Sequence, residues 1–256
     1  MKYADYDRDA AKKTLKEDGY VVFREFIDQE SVEEIMRNLD RYVKTIVPTL
    51  PREEVYYETP GKPETLKQLQ RLHQKDDFFR SIFIGSPLQK VAESLLDDRV
   101  SAQNLQYFDK PPVVGKATPP HQDGYYFMLD PCVAVTMWLA LDHVDESNGC
   151  IRYVHASHLE PVRNHGRTNT LGFSQGVTDY GTPDDLARER AFPAHPGDLL
   201  VHHAMTIHRA DGNTTTDRHR RSLGFIYYGD RAKEDVLAKD LYQKRLNQAL
   251  RKEGKV

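Results

Sequence analysis

Val32, Ile35, Met36, Leu39, Val43 and Ile46 recur at helical spacing with charged residues between them. That pattern predicts an amphipathic helix opening near Asp28. Before it, "DRDAAKKTLKEDGY" predicts a short helix stopped near Gly19, and Val21, Val22 and Phe23 predict a strand. Pro48, Pro51, Pro60, Gly61 and Pro63 crowd residues 48–63, which predicts a loop. Two more short helices are expected, around 66–73 and 87–96.

From Val100 the period changes. "VSAQNLQYF", "TPPHQDGYYFML", "CVAVTMWLALDHV", "GCIRYV", "GDLLVHHAM" and "RRSLGFIYYGD" are short runs rich in β-branched and aromatic residues, punctuated by Pro, Gly, Asn and Asp. With no helical pattern interleaved, they predict a mainly β fold with flanking helices, its core a cupin-like jelly roll or double-stranded β-helix. The polar, Gly-rich segment 159–193 is expected to be a lid-like insertion. Val236, Leu237, Leu241 and Leu250 predict a C-terminal helix within 231–256, packed on the barrel. The expected organisation is one domain over 1–256, with a mainly helical part at 1–99 and the jelly roll at 100–230.

Composition narrows the function classes. Hydrophobic residues make up 39% and charged residues 29%, with a net charge of −3. No strong field draws such a chain to nucleic acid or membrane, and Arg218, Arg220 and Arg221 are too few to form a nucleic-acid patch. No apolar run approaches the about 20 residues of a membrane span. Cys132 and Cys150 lack zinc or disulfide spacing and are expected to be buried thiols in a reduced compartment. The charged N-terminus does not read as a signal peptide, and the final "GKV" is no peroxisomal address. A cytoplasmic location is expected.

The candidate chemistry centres on "PPHQDGYYF". His121 and Asp123 are two apart, and on a strand they would share one face. Tyr125, Tyr126 and Phe127 would continue that strand, alternate side chains lining a cavity. Two histidines and a carboxylate form the facial triad of non-heme Fe(II), with three positions left open. With 11 His and 39 acidic residues, chance supplies about one or two such pairs, so context decides. His143/Asp145 lies in a polar turn and His158/Glu160 follows a small-residue turn, so both are expected to be plain structure. The third ligand would come from a late strand offering His202, His203 and His208. His208 is favoured, because it precedes a polar loop and then "RHRR", where a guanidinium could grip a carboxylate. Either neighbour is the alternative; the bland reading makes one a core residue and the other solvent-facing.

"HQDGYYF", "MWLALDHVDESNGCIRYVHASH" and "GDLLVHHAMTIHRADGNTTTDRHRRSLGFIYY" together resemble the phytanoyl-CoA dioxygenase family of Fe(II)/2-oxoglutarate oxygenases. The resemblance covers nearly the whole chain. It implies that His121, Asp123 and His208 bind iron. It matches Ala210, Asn213 and Arg220 to the residues after the family's distal histidine, with Arg220 on the far carboxylate of 2-oxoglutarate and Arg221 as the alternative. Gln106 and Trp138 lie where the family places further cosubstrate neighbours. Asp123 is intact, whereas halogenating relatives carry Gly or Ala there, so hydroxylation is implied. "VHASH" departs from the family's usual Pro-Gly-Ser-His turn.

The implied reaction consumes 2-oxoglutarate and O2, with ascorbate as a reductant, and hydroxylates a small molecule. Arg163, His165 and Arg167 would favour an anionic substrate if they point inward. The competing classes are a cupin-type metal enzyme without 2-oxoglutarate and a non-catalytic metal or small-molecule binding protein.

Overall fold

The computed structural model describes residues 1–252. Helix α1 (Arg8–Asp18) is capped by Asp7, whose side chain accepts from Ala10 N, and it stops at Gly19 with φ +86°. Strand β1 (Tyr20–Phe23) follows. Helix α2 (Gln29–Thr45) opens on Asp28, and its apolar stripe buries Val32, Ile35 and Leu39. Each such side chain contributes about 1.5–3 kcal/mol on leaving water. Beyond α2 the chain forms β2 (Val55–Tyr57), β3 (Leu66–Leu69), α3 (Asp77–Ser81), α4 (Pro87–Leu96) and β4 (Val100–Phe108).

Two expectations fail here. Residues 48–63 are not all loop, because Val55–Tyr57 pairs with β3. The stretch predicted as a helix at 66–73 is a strand followed by a 3-10 turn, Leu72–Gln74. Pairing of β3 with β4 overrides the local pattern. All four residues of β3 are buried, Lys67 and Gln68 included, so polar side chains that look like a wet helix face point inward.

The core continues with β5 (Thr118–His121), α5 (Asp123–Phe127), β6 (Leu129–Asp130), β7 (Ala134–Ala140) and β8 (Ile151–Val154). Next come β9 (His165–Thr170), β10 (Phe173–Val177), α6 (Pro183–Arg188), β11 (Glu189–Phe192), β12 (Leu199–His203), β13 (His208–Ala210) and β14 (Ser222–Gly229). The short β15 (Lys233–Glu234) and helix α7 (Val236–Lys252) complete the described chain. A seven-stranded sheet has the order β1-β12-β7-β14-β4-β3-β2, and a four-stranded sheet the order β11-β8-β13-β5. All their pairings are antiparallel. The two form the jelly-roll core. Residues 1–99 add three strands to the larger sheet as well as helices.

The larger sheet is covered on both sides. Leu199, Val201, Met137, Leu139, Phe225 and Tyr227 pack with α2 and α4 in one apolar cluster. Trp138 and Leu200 instead join Ile151 and Tyr153 of the smaller sheet in another. The sheet is therefore largely packed on both faces, apart from the cavity wall, and β14 is buried at every residue.

The 159–193 segment is more ordered than a lid loop. It holds the β9–β10 hairpin, whose turn includes Gly172 (φ +85°). A Cβ at Gly172 would overlap Gln68 Oε1, so the hairpin tip lies against β3. The same segment supplies β11, which pairs with β8. Helix α7 exists, but its predicted buried stripe does not: Val236, Leu237 and Leu241 are 56%, 78% and 55% exposed. The side chain of Leu250 and residues 253–256 lie outside the described residues. Among those described, no helix is long and apolar enough to cross a membrane.

Candidate metal centre

Strand β13 runs between β5 and β8, and its register sets His208 opposite His121 on one side and Tyr153 on the other. Backbone pairing thus brings the rings of His121 and His208 to 4.1 Å between centroids. Asp123 arrives differently from the expectation. β5 ends at His121, and Asp123 opens the short helix α5. A turn, not strand alternation, carries its carboxylate back toward the imidazoles. Tyr125, Tyr126 and Phe127 are helical as well, so the predicted aromatic strand is absent.

The ligand atoms of His121, Asp123 and His208 lie within 4.8 Å of one another, the one such group of three or more among the described residues. Asp123 Oδ1 is 3.5 Å from His121 Nε2 and 3.9 Å from His208 Nε2. His121 Nδ1 meets Pro119 O at 2.8 Å, and His208 Nδ1 meets Thr206 O at 3.1 Å. A carbonyl oxygen only accepts, so both rings carry their proton on Nδ1. Burial, with His121 and His202 close by, holds His208 well below the usual histidine range. The ring is neutral and its Nε2 is bare. Burial alone would raise the Asp123 carboxyl, but His208, His121 and His202 outweigh it and hold it well below the usual carboxylate range. Two imidazole nitrogens and a carboxylate oxygen converge on one point, a donor set that suits a cation.

His202 is buried and lies 3.2 Å from Asp123 Oδ2, so it is the core histidine of its pair. His203 is not the solvent-facing residue expected: it is half-buried against His158, with ring centroids at 5.6 Å. The other His-acid pairs are structural. Asp145 accepts from Ser147 N and Asn148 N in its turn, and His158 Nε2 contacts Lys16 O.

The two arginines separate cleanly. Arg221 forms a two-pronged ion pair with Asp142 at 2.9 and 2.7 Å. Arg220 is 5% exposed, donates through Nε to Gly149 O at 2.9 Å, and stacks its guanidinium 4.9 Å from the Trp138 ring centroid. Burial lowers its pKa to about 10, so it remains charged at neutral pH. Arg220, Trp138, Gln106 and the three ligand candidates line one cavity of about 610 Å³. Gln106 accepts from Gln68 Nε2 at 3.1 Å there. Ala210 is buried and also lines the cavity, and buried Asn213 donates through Nδ2 to Lys110 O and Arg218 O, tying the loop that carries Arg220.

Lys67 and Lys110 escaped the sequence reading. Both are buried and line the cavity. Lys67 Nζ is 2.9 Å from Glu58 Oε1, while Lys110 donates to Lys116 O and Thr118 Oγ1. Burial lowers both amines, and Arg220 and Lys67 push Lys110 down further. Nothing in "TLKQLQ" or "FDKPP" distinguishes these from surface lysines.

The hairpin closes one side of the cavity. His165 stacks on Tyr125 at 4.2 Å and accepts from Gln122 N, and Tyr126 donates to Gln175 O. Tyr242 of α7 bonds Ser174 at 2.6 Å. Arg163 turns away to Asp179 and Asp185, while Arg167 lines the cavity. Cys132 and Cys150 are free thiols.

A family model described as Phytanoyl-CoA dioxygenase (PhyH) matches residues 15–222. The peroxisomal phytanoyl-CoA dioxygenase of Rattus norvegicus is 24% identical over 234 residues, covering 84% of this chain and 67% of that protein. Its Bos taurus counterpart is 24% identical over 216 residues, with 79% and 63% covered. The chain thus spans about two thirds of the length of these mammalian relatives. A phytanoyl-CoA dioxygenase domain-containing protein 1 homolog of Caenorhabditis briggsae is 22% identical over 249 residues, with 80% and 85% covered. Among solved structures, the epimerase SnoN in complex with Fe3+, alpha ketoglutarate and nogalamycin RO superposes with a TM-score of 0.72 at 23% identity, over 89% of this chain and 85% of that one. EctD from S. alaskensis with bound Fe gives 0.73 at 16% identity, over 91% and 82%. Both share the jelly-roll fold.

Proposed function

The chain belongs to the phytanoyl-CoA dioxygenase family, and on that premise we propose that it is an Fe(II)/2-oxoglutarate-dependent dioxygenase that hydroxylates a small anionic molecule. The observation that carries this reading is the meeting of three possible ligand atoms, on His121, Asp123 and His208, within 4.8 Å of one another in one cluster. These residues would hold the iron. Bound iron and 2-oxoglutarate would supply the oxidising chemistry, using O2, releasing succinate and CO2 and hydroxylating a C–H bond, with ascorbate as reductant.

The chain's own residues do the rest. Arg220, fixed by Gly149 O and the Trp138 face, offers a carboxylate a preset guanidinium that spends little entropy on binding. Lys67 and Lys110 add two buried amines to the same wall, and Gln106 offers an amide. The hairpin and Tyr242 wall one side of the cavity. For an anionic substrate the support is the charge of the lining: eight basic against five acidic side chains, Arg71, Arg167 and Lys239 among them, in a chain of net charge −3.

We read residues 1–256 as one oxygenase domain, since residues 1–99 build part of the larger sheet. The cytoplasmic location is our reading of the cysteine usage. Anaerobic addition of Fe(II) and 2-oxoglutarate tests the function: a weak visible charge-transfer band is expected, followed by succinate release in air with a panel of carboxylate, phosphate and phosphonate substrates. Metal binding without that band would favour a cupin-type enzyme that does not use 2-oxoglutarate.

A further inference from the structure

Three histidine rings crowd Asp123. His202 lies 4.2 Å from His208 between centroids, as close as His121 does at 4.1 Å. Yet the two oxygens of Asp123 face different partners. Oδ1 is the one near His121 Nε2 and His208 Nε2. Oδ2 accepts from Thr136 Oγ1 at 2.5 Å and meets His202 Nε2 at 3.2 Å. An ionised carboxylate cannot donate, so His202 carries its proton on Nε2. Its Nδ1 then faces the Tyr153 hydroxyl at 3.0 Å and can accept that group's proton. Tyr153 is fully buried and stacks on Tyr20 at 4.9 Å with 12° between the planes, so the hydroxyl is fixed. Burial also drives the Tyr153 pKa well above its ordinary value, which keeps that proton in place.

We propose that Thr136, His202 and Tyr153 are positioning residues that hold Asp123 as a one-oxygen ligand. The inference rests on the reading of His121, Asp123 and His208 as the metal centre. A carboxylate with both oxygens free can clamp a cation as a chelate and take two coordination positions. With Oδ2 occupied by two donors, only Oδ1 turns to the ion, and three positions stay open for a chelating cosubstrate and O2. The same network excludes His202 from the metal, because its proton points at Asp123. Opposite tautomers thus sort three neighbouring histidines into two ligands and one support.

Thr136→Val removes the hydroxyl with little change of shape, and His202→Leu removes the N–H. His202→Gln restores a donor. Each is loaded with Co(II), which needs neither O2 nor turnover. The expected result is an altered visible Co(II) spectrum before any cosubstrate is added, and 2-oxoglutarate binding weakened about 10-fold or more. His202→Gln should return both toward the parent. A lowered melting temperature with parental spectra and affinities in both Thr136→Val and His202→Leu would overturn the proposal. If His202→Leu does not fold, Thr136→Val decides alone by the same readouts. Because the Co(II) spectrum is read without 2-oxoglutarate, failure of the parent to bind 2-oxoglutarate would count against the oxygenase reading and not against the positioning role.

Discussion

The four-stranded sheet brings His121 and His208 side by side through one register pair of β5 and β13. The seven-stranded sheet facing it contributes Lys67, Gln106, Thr136, Trp138 and His202 from four different strands and holds Arg220 just before a fifth. On the first sheet, the spacing of the ligand candidates is fixed by backbone hydrogen bonds, about 5 Å between opposed residues. On the second, reach and charge depend on long side chains, each replaceable without disturbing its neighbours' backbone. A metal needs a precise distance, and an organic acid needs complementary charge and shape. The two sheets meet those needs by different means.

The strongest way to break this division is on the smaller sheet. His121→Ala and His208→Ala should each abolish the charge-transfer band and succinate release; retention of either signal would move the metal elsewhere. On the larger sheet the effect should be graded. Arg220→Ala should leave metal binding intact and weaken 2-oxoglutarate by about 1.5–3 kcal/mol, roughly 10- to 150-fold, as expected for a lost charge-assisted hydrogen bond. Arg221→Ala should leave cosubstrate affinity alone and cost stability instead, because it strips Asp142 of both side-chain bonds and leaves only the one from Arg221 N. Equal losses of affinity in the two variants would show that the arginines share the role.

Acid should affect the histidines before either cosubstrate or fold is altered by design. Burial, His158 and His202 lower His203 to about 4, and burial depresses His208 strongly. A histidine with a folded pKa below its unfolded value of about 6.5 binds more protons when unfolded, so its contribution is present above 6.5 and lost as pH falls. The melting temperature of the metal-free protein should therefore drop between pH 6.5 and 4, and His203→Gln should flatten that slope. The smallest effect is expected on α7. Leu237→Gln and Leu241→Gln should change stability by no more than about 0.5 kcal/mol in urea unfolding, because both side chains are exposed.

The legible part of the site was the part with unusual residues in unusual context. His121, Asp123 and His208 stood out because histidines bordered β-rich runs, and Arg220 because it followed them at a family spacing. How Asp123 reaches the cluster was not legible: "DGYYF" has strand-like aromatics, yet a helical turn satisfies its backbone once Gly124 N donates to Ala204 O. β3 was hidden for a similar reason. A strand whose polar side chains face a wet cavity loses the alternation that marks strands, and "LKQLQ" then reads as helix. Lys67 vanished with it. Nothing in the sequence tells His202 from His203, because the partners of the cluster, Thr136 and Tyr153, lie far off in sequence and only the fold assembles them.

The contact of Gly172 with Gln68 has a wider meaning. Roof and floor of the chamber touch there through a residue whose side chain is a single hydrogen atom. A methyl group at that point would press on Gln68, whose amide bonds Gln106, and would so be felt along the cavity wall. The width of the chamber is thus tied to how closely the hairpin tip fits against β3.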